Sequence, residues 1–338
     1  MDIKEDLKRI SERKDIERFR MKEMTREIIK GNISSAQIGG LLIGLKSKGE
    51  TFFEILGIVE ALREDMKKID LNEEYLIDTC GTGGDSLNTF NISTITAIIA
   101  CSGGVKVAKH GNRSITSKCG SKDVLEELGI NSDLPLDKSK RMIKDYGMSF
   151  LFAKDYHEGM KNVSKERKEL GVRTIFNLIG PLINPAEVKG QLLGIYDGDL
   201  LEVVAKVSKE VGLLNGLIVH GGDGLDEISL SSHTDICEIK DNKITKYSIK
   251  PEDFGFKRCK IEEVSGGTPK ENAEIILGIL KGKRGPKRDI VLLNVGAALY
   301  VGKSSESILK GIKLAEKLLD SGAAYLKYLS LKEKSNSI

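Results

Sequence analysis

The chain has 338 residues, of which 40% are hydrophobic and 30% are charged, a composition typical of a folded globular protein with about two domains. A net charge of only +3 and the absence of tryptophan argue against nucleic acid as the main partner, because such surfaces are usually strongly basic and rich in stacking aromatic rings. The five cysteines form no CxxC pair, which disfavours a disulfide framework and a zinc site.

The sequence also gives no sign of a membrane or secretory segment. No stretch reaches the roughly 18 apolar residues of a membrane span, and residues 1–15 are charged rather than apolar. We therefore expect a cytoplasmic protein without a membrane partner. We expect the charged ends, residues 1–15 and 331–338, to be frayed.

The first seventy residues have the spacing of helices. Gly31 and Gly49 are positioned to end two of them, and Thr51 with Glu54 forms a capping box for a third. This pattern predicts a small helical domain over residues 1–73.

The remaining chain has an α/β pattern. The apolar runs YLIDT, GVKVA, GLIVH and DIVLLNV alternate with amphipathic segments, which predicts βα units and a mostly parallel central sheet flanked by helices. We expect this large domain to comprise residues 74–156 and 188–338. Residues 157–187 have helical spacing again and are expected to return to the small domain. The basic run 281–289 is interpreted as a solvated turn before the strand DIVLLNV.

A glycine-rich loop follows the first predicted strand. Glycines allow close approach of a ligand to the backbone, and hydroxyl residues stand where the next helix begins, so free N–H groups and hydroxyls converge as a phosphate or pyrophosphate requires. The spacing fits neither a nucleotide P-loop nor a dinucleotide fingerprint, and a tight structural turn is the alternative. The residues concerned are Gly81, Gly83, Gly84, Asn91, Ser93 and Thr94.

The second strand ends in a similar loop. Lys109, His110 and Arg113 lie within five positions, and Ser121 begins a helix that should end at Gly129. Lone basic residues usually belong to solvated faces. Because two neighbouring strands would place donors at the edge where open α/β sheets bind ligands, a functional role is favoured.

A pair of carboxylates follows a third strand. Asp226 and Glu227 come after a glycine-rich turn, where they are suited to hold Mg²⁺ together with substrate phosphates, although a surface turn is the alternative. Arg173 is the one cation in an apolar stretch, and either pairs with an acid such as Glu169 or binds a ligand carboxylate. The residue types leave that choice open.

Taken in order, these motifs resemble the anthranilate phosphoribosyltransferase family from about residue 20 to residue 330. They are GTGGD with NIST, KHGNR, LGVRTIFNLIGPLINP, HGGDGLDE, and GGTPKENAEIILGIL with LLNVGAALY. KHGNR is shared with pyrimidine nucleoside phosphorylases of the same superfold, whereas the combination is far more specific.

The resemblance implies a transfer of the phosphoribosyl group of phosphoribosyl pyrophosphate (PRPP) to anthranilate in tryptophan biosynthesis, by a homodimer joined through its helical domains. It implies PRPP binding by Gly81, Gly84, Asp85, Thr89, Asn91, Ile92, Ser93, Thr94, Lys109, His110, Gly111, Asn112, Arg113, Ser117 and Ser121. It implies anthranilate contacts at Gly81, His110, Asn112 and Arg173, two Mg²⁺ ions at Ser93, Asp226 and Glu227, and catalytic roles for Lys109, Asp226 and Glu227.

Three positions depart from the family pattern. His157–Met160 reads HEGM where the family has HPAM, Lys154 stands where a proline is usual, and Lys122 replaces a small residue. These positions flank the expected substrate channel and phosphate loop, so they concern substrate positioning more than the fold.

The expected chemistry is stabilisation of a leaving group. Mg²⁺ at the carboxylates, Lys109 and the loop amides would stabilise departing pyrophosphate, while the neutral aromatic amine needs alignment rather than a strong base. Two alternatives remain: a pyrimidine nucleoside phosphorylase, and a non-catalytic nucleic-acid-binding paralogue, which should have lost its metal and glycine positions.

Overall fold

The computed structural model of the protein describes residues 2–71, 74–83, 87–112 and 119–338. It begins with four helices, α1 (Lys4–Ser11), α2 (Arg18–Ile29), α3 (Ser35–Lys48) and α4 (Phe52–Asp65). The predicted helix ends are confirmed, because Gly31 and Gly49 follow α2 and α3 with positive φ angles of 77° and 90°. The predicted capping box of Thr51 and Glu54 begins α4. Helix α2 packs on α4, and α1 packs on α3.

A seven-stranded sheet forms the centre of the rest of the chain. The strands are β1 (Ile77–Gly81), β2 (Val107–Gly111), β3 (Met148–Phe152), β4 (Gly190–Gly194), β5 (Asn215–Gly221), β6 (Thr234–Lys240) and β7 (Lys243–Ile249). Their order is β3-β2-β1-β4-β5-β6-β7. The first five are parallel, and β6 and β7 are antiparallel additions. The predicted mostly parallel α/β sheet is therefore confirmed.

Further helices alternate with these strands and follow them along the chain. They are α5 (Ile92–Ser102), α6 (Ser121–Leu128), α7 (Leu136–Tyr146), α8 (Ala153–Tyr156), α9 (Lys161–Leu170), α10 (Ile175–Ile179), α11 (Leu201–Glu210), α12 (Pro269–Leu280), α13 (Pro286–Val301), α14 (Ile308–Asp320) and α15 (Ala323–Ser337). Helices α5 and α13 are buried almost throughout and form the centre of one hydrophobic core. Helix α6 ends at Gly129 in a left-handed conformation, as predicted.

The prediction of a strand at DIVLLNV is wrong, because these residues lie within α13. Pro286 occupies the first turn, where its missing N–H costs no hydrogen bond. The helix is apolar on nearly all sides since it is buried on all sides, and such a run lacks the amphipathic period that distinguishes a helix from a buried strand. The basic run 281–289 is accordingly only partly a turn. Arg288 lies inside the helix and pairs with Asp320 at 2.6 Å.

The prediction of frayed ends is also wrong. Helix α1 is held down because Ile3 and Ile10 are buried and because Arg20 donates to the Asp6 carboxylate at 2.7 Å. At the other end α15 continues to Ser337, with Leu331 buried. Because each helix also carries many charged residues, its buried apolar residues were not recognised from the sequence as the ones that hold it in place.

The segment that was expected to return to the helical domain does contact it. Ser35 donates to Glu166 at 2.7 Å and Asn162 donates to the carbonyl of Ile29 at 2.6 Å. Gly159 is needed for this approach, since a Cβ there would overlap the side chain of Ile29. The domain boundaries at residues 73, 156 and 187 remain a prediction.

Strands β3 and β7 are the two edges of the sheet among the described residues. Four of the seven residues of β7 are exposed, and Lys243 and Lys246 are among them. Across the part of the chain that the structure describes, we find no helix long and apolar enough to cross a membrane.

Candidate active site

The strand order reverses at β1, which has β2 on one side and β4 on the other. Open α/β sheets bind ligands at the carboxyl ends of strands beside such a reversal. Here that edge holds a cavity of about 240 Å³. Of the residues that the structure describes, thirteen that were singled out from the sequence line it: Gly81, Gly83, Thr89, Asn91, Ile92, Ser93, Lys109, His110, Gly111, Asn112, Ser121, Asp226 and Glu227. The three predicted loops therefore meet at one site.

The other predicted residues are placed differently. Thr94 is fully buried on α5 and does not line the cavity. Gly84, Asp85, Arg113 and Ser117 lie outside the described residues.

Two glycines let the carboxylate loop reach the first strand. The segment after β5 passes over the end of β4, and a Cβ on Gly194 would overlap the carbonyl oxygen of Asp226. A Cβ on Gly81 would overlap the carboxylate of Asp226. That carboxylate accepts a hydrogen bond from the Gly83 N–H at 2.7 Å. Gly194 was missed from the sequence, because nothing local indicates which loop passes above it.

Lys109 places a buried ammonium beneath the cavity. Its side chain is 2% exposed, and Nζ donates to the carbonyl of Thr79 and, at 3.2 Å, to Oγ of Ser93. Asp78 is completely buried nearby. Burial raises the pKa of Asp78, and the charge of Lys109 opposes that rise. The carboxylate thus offsets the cost of burying the ammonium.

The start of α5 is held in position by Asn272, a residue without a local sequence signal for this role. Asn272 donates to Oδ1 of Asn91 at 3.0 Å and accepts from the Gly267 N–H at 2.7 Å. Asn91 is the residue that precedes α5, so this contact sets the position of the helix terminus that faces the cavity. Asn272 lies in the family-like segment GGTPKEN, whose resemblance was the only available signal.

Asp226 and Glu227 form a suitable half-site for a hard cation. Each is 8% exposed and lines the cavity that Ser93 also lines. Two carboxylates suit Mg²⁺, which commonly takes one or two of them and completes its shell with water and substrate phosphates.

A second cavity, of about 700 Å³, adjoins the first. The two share Gly81, His110 and Asn112 among their lining residues. On its other side the second cavity is lined by the segment from α8 to α10, including Phe176 and Pro181. It therefore lies between the sheet edge and the helices that contact the small domain.

Two histidines at this cavity are held neutral. Burial lowers the pKa of His110 to about 3, and neighbouring His157 adds to the shift. Burial likewise lowers the pKa of His157 to about 4. Nδ1 of His110 lies 3.2 Å from the carbonyl of Gly180 and so donates to it. Nε2 is then an acceptor, and among the described residues it has no hydrogen-bond partner.

This neutrality predicts acid sensitivity. Below pH 6.5 the unfolded chain protonates both histidines, whereas the folded chain protonates His157 only near pH 4. The free energy of unfolding should fall by about 1.4 kcal/mol per pH unit for each such proton. We expect His157→Gln to show a shallower fall between pH 6.5 and 4 in denaturant titrations. His233→Gln, at a histidine whose side chain is 45% exposed, is the control, and equal slopes for all three proteins would contradict the prediction.

Three cations line the second cavity without an ion pair to any described residue. They are Lys154, Lys161 and Arg167. Among the described residues that line it, Glu158 is the one acid, and it forms an ion pair with Lys67. The cavity is consequently attractive to a carboxylate.

Arg167 is the most enclosed of these cations. Burial lowers the pKa of its guanidinium, which packs over the ring of Phe176 at 5.7 Å. The predicted Arg173 does not line the cavity, and its guanidinium lies 4.7 Å from the ring centre of Tyr196. Arg167 was missed because it stands within the charged run KERKEL. Only its helical spacing from Met160 and Ser164, which line the same cavity, would have indicated it.

The departures from the family pattern have separate effects. Lys122 pairs with Asp133 and lies 4.0 Å from the ring centre of Phe152, so it ties a loop to β3 and does not line either cavity. Lys154 and Glu158, by contrast, belong to the wall of the second cavity.

The chain is similar to known proteins over nearly its whole length. Residues 4–66 match the glycosyl transferase family, helical bundle domain, and residues 73–325 match the glycosyl transferase family, a/b domain. The anthranilate phosphoribosyltransferase of Clostridium beijerinckii is 55% identical over 332 residues, covering 98% of each chain.

Solved structures agree with this similarity. The anthranilate phosphoribosyltransferase of Thermus thermophilus superposes with a TM-score of 0.91 at 37% identity, covering 98% of this chain and 99% of that one. The Saccharomyces cerevisiae enzyme in complex with PRPP and Mg has a TM-score of 0.89 at 28% identity, with 98% and 97% covered. The same enzyme in complex with 4-fluoroanthranilate has a TM-score of 0.88 at 27% identity, with the same coverage.

Proposed function

Because the chain belongs to the anthranilate phosphoribosyltransferase family, we propose that its first cavity holds PRPP and its second cavity holds anthranilate. The enzyme transfers the 5-phosphoribosyl group of PRPP to the amine of anthranilate and releases pyrophosphate, a step of tryptophan biosynthesis. The observation that carries the assignment of sites is that a phosphate-suited cavity and a cationic, partly apolar cavity meet at Gly81, His110 and Asn112.

The PRPP site combines groups of complementary kinds. Backbone amides at the start of α5, the ammonium of Lys109 and the hydroxyl of Ser121 all border the first cavity, and such groups bind phosphates. We extend the site to Gly84, Asp85, Arg113 and Ser117 on the family resemblance.

The carboxylates of Asp226 and Glu227, with Ser93, are the residues that would hold Mg²⁺, and we propose two ions per subunit. Bound there, Mg²⁺ would neutralise charge on the pyrophosphate group. The yeast relative in complex with PRPP and Mg supports this role.

The chain's own residues stabilise the departing pyrophosphate and align the anthranilate amine. Lys109 and the amides before α5 stabilise the pyrophosphate as the bond to ribose C1 breaks. The anthranilate amine is neutral near pH 7 and can attack once it is aligned, so the neutral His110 at the junction of the cavities is compatible with the reaction.

We propose that the anthranilate carboxylate binds Arg167, which lines the second cavity, and we test this proposal against Arg173, the residue that the family resemblance implies. Arg167→Gln should raise the KM for anthranilate roughly 10- to 100-fold with a smaller change in kcat, because a hydrogen bond to a charged group contributes about 1.5–3 kcal/mol. Arg173→Gln, which removes the same charge beside Tyr196, is the matched control. Steady-state kinetics with varied anthranilate make the comparison. A KM increase that follows Arg173 instead would support the assignment that the family resemblance implies.

One assay tests the function directly. Anthranilate fluorescence should decay when PRPP and Mg²⁺ are added, and should persist when EDTA replaces Mg²⁺. Phosphorolysis of thymidine and uridine, measured in parallel, tests the alternative nucleoside phosphorylase. Phosphorolysis without loss of anthranilate would overturn the proposal.

We further propose a cytoplasmic homodimer joined through the helical domains. Phe19, Ile43 and Phe53 of this domain are exposed apolar side chains, and such side chains are common at interfaces. Light scattering after chromatography should give twice the mass of the chain, and Ile43→Glu and Phe53→Glu would identify which face is used.

A further inference from the structure

One side chain of α13, that of Asn294, forms hydrogen bonds with the loop that carries Asp226 and Glu227. Asn294 is completely buried. Its Oδ1 accepts from the Ile228 N–H at 3.0 Å, and its Nδ2 donates to the Ile228 carbonyl at 3.0 Å. One amide thus pairs with both backbone groups of the residue directly after Glu227.

This arrangement is specific to asparagine. Nδ2 also donates to the carbonyl of Ile290 at 2.9 Å, within its own helix. A polar side chain in an apolar core is costly unless its groups are bonded, and here oxygen and nitrogen are both bonded. Aspartate would lack the donor, and leucine would leave both backbone groups of Ile228 without these partners.

The loop's internal bonds do not replace this anchor. Asp223 accepts from Ser229 at 2.7 Å and from Ser231, and the Ser229 N–H donates to Thr234 at 2.9 Å. These contacts hold the shape of the loop, but they lie within residues 223–234. The bonds of Asn294 fix the loop to a helix of the core.

The opposite side of the loop meets the sheet. There Asp226 approaches Gly81 and Gly194 closely and accepts from the Gly83 N–H. The carboxylates are consequently held between two fixed surfaces, the strand ends and α13.

We propose that Asn294 is a positioning residue for the cation-binding carboxylates, acting through the backbone of Ile228. The inference rests on the proposed role of Asp226 and Glu227 in holding Mg²⁺. Loss of the Asn294 amide should displace both carboxylates and weaken divalent-cation binding, while the second cavity, lined by other elements, keeps its affinity for anthranilate.

The experiment measures metal binding apart from turnover. Mn²⁺ binding to the full chain in the presence of pyrophosphate is followed by electron paramagnetic resonance for wild type, Asn294→Leu and Leu293→Ala. Leu293 is a buried neighbour on α13, so its truncation controls for lost stability, which thermal melting records. We expect the Mn²⁺ Kd to rise at least tenfold in Asn294→Leu and to stay within twofold in Leu293→Ala.

A second variant keeps the test decisive. If Asn294→Leu does not fold, Asn294→Asp retains the size and the acceptor of asparagine but loses the donor, and we expect the same direction of change. A folded Asn294 variant with wild-type Mn²⁺ affinity would overturn this inference but not the proposed metal role. So would an equal rise of the Mn²⁺ Kd in Leu293→Ala. Wild-type protein that binds no Mn²⁺ would overturn the proposed metal role as well.

Discussion

Turnover should fall by about 10²- to 10³-fold or more when Asp226→Asn and Glu227→Gln are combined, and we expect the double variant to remain folded. Both changes preserve the size of the side chain, but they replace the carboxylate that would bind a divalent cation with a neutral amide. Removal of one preorganised stabilising group commonly costs about 10²- to 10³-fold in turnover, and here two are removed. Turnover at saturating substrates, titrated with Mg²⁺, measures the effect.

The control for this result is a charge change just beyond the same loop. Asp235 stands on β6 with its side chain 38% exposed, so Asp235→Asn should leave turnover within about twofold, as expected for a surface substitution away from the site. Thermal melting establishes that each variant folds. Near-normal Mg²⁺-dependent turnover of the double variant would exclude the carboxylates from metal binding.

A comparable loss should result from Gly194→Ala, although this residue offers no side chain to a substrate. The added Cβ would overlap the carbonyl of Asp226, so the loop must move away from the strand ends. A misplacement of about 1 Å at a reacting group can cost about 10²-fold. We expect a loss of turnover of that size together with weaker dependence on Mg²⁺.

Gly278→Ala is the matched control for that substitution. A Cβ at Gly278 would lie 3.5 Å from a carbon of the Lys283 side chain, an ordinary contact, and alanine favours the helix. Its turnover should match wild type and its melting temperature should be equal or slightly higher. A folded Gly194→Ala protein with wild-type turnover would show that the loop tolerates displacement.

The elements with local signals could be predicted from the sequence. Gly31, Gly49 and the Thr51–Glu54 pair mark helix ends through backbone geometry and capping, which depend on neighbouring residues only. DIVLLNV could not be assigned correctly, because a run buried on every side loses its periodicity in a helix as in a strand. That this run is helical follows from Pro286 in the first turn and from the burial of the helix along nearly its whole length.

The residues of the candidate site likewise fall into those that local sequence could predict and those that it could not. The donors after β1 and β2 were predicted to meet because those strands are consecutive. The route of the 221–228 segment over β4 depends on pairing between strands far apart in sequence, so Gly194 could not be identified. Asn272 and Asn294 were missed for a related reason, since each acts on a loop contributed by a distant part of the chain.

The lysines of β7 bear on how the protein behaves at high concentration. An open strand offers unpaired N–H and C=O groups to any other molecule that approaches in an extended conformation, and amyloid-like stacking begins in this way. Exposed Lys243 and Lys246 place ammonium groups along that border. The ammonium groups of two copies would therefore repel each other, which disfavours pairing between their β7 strands.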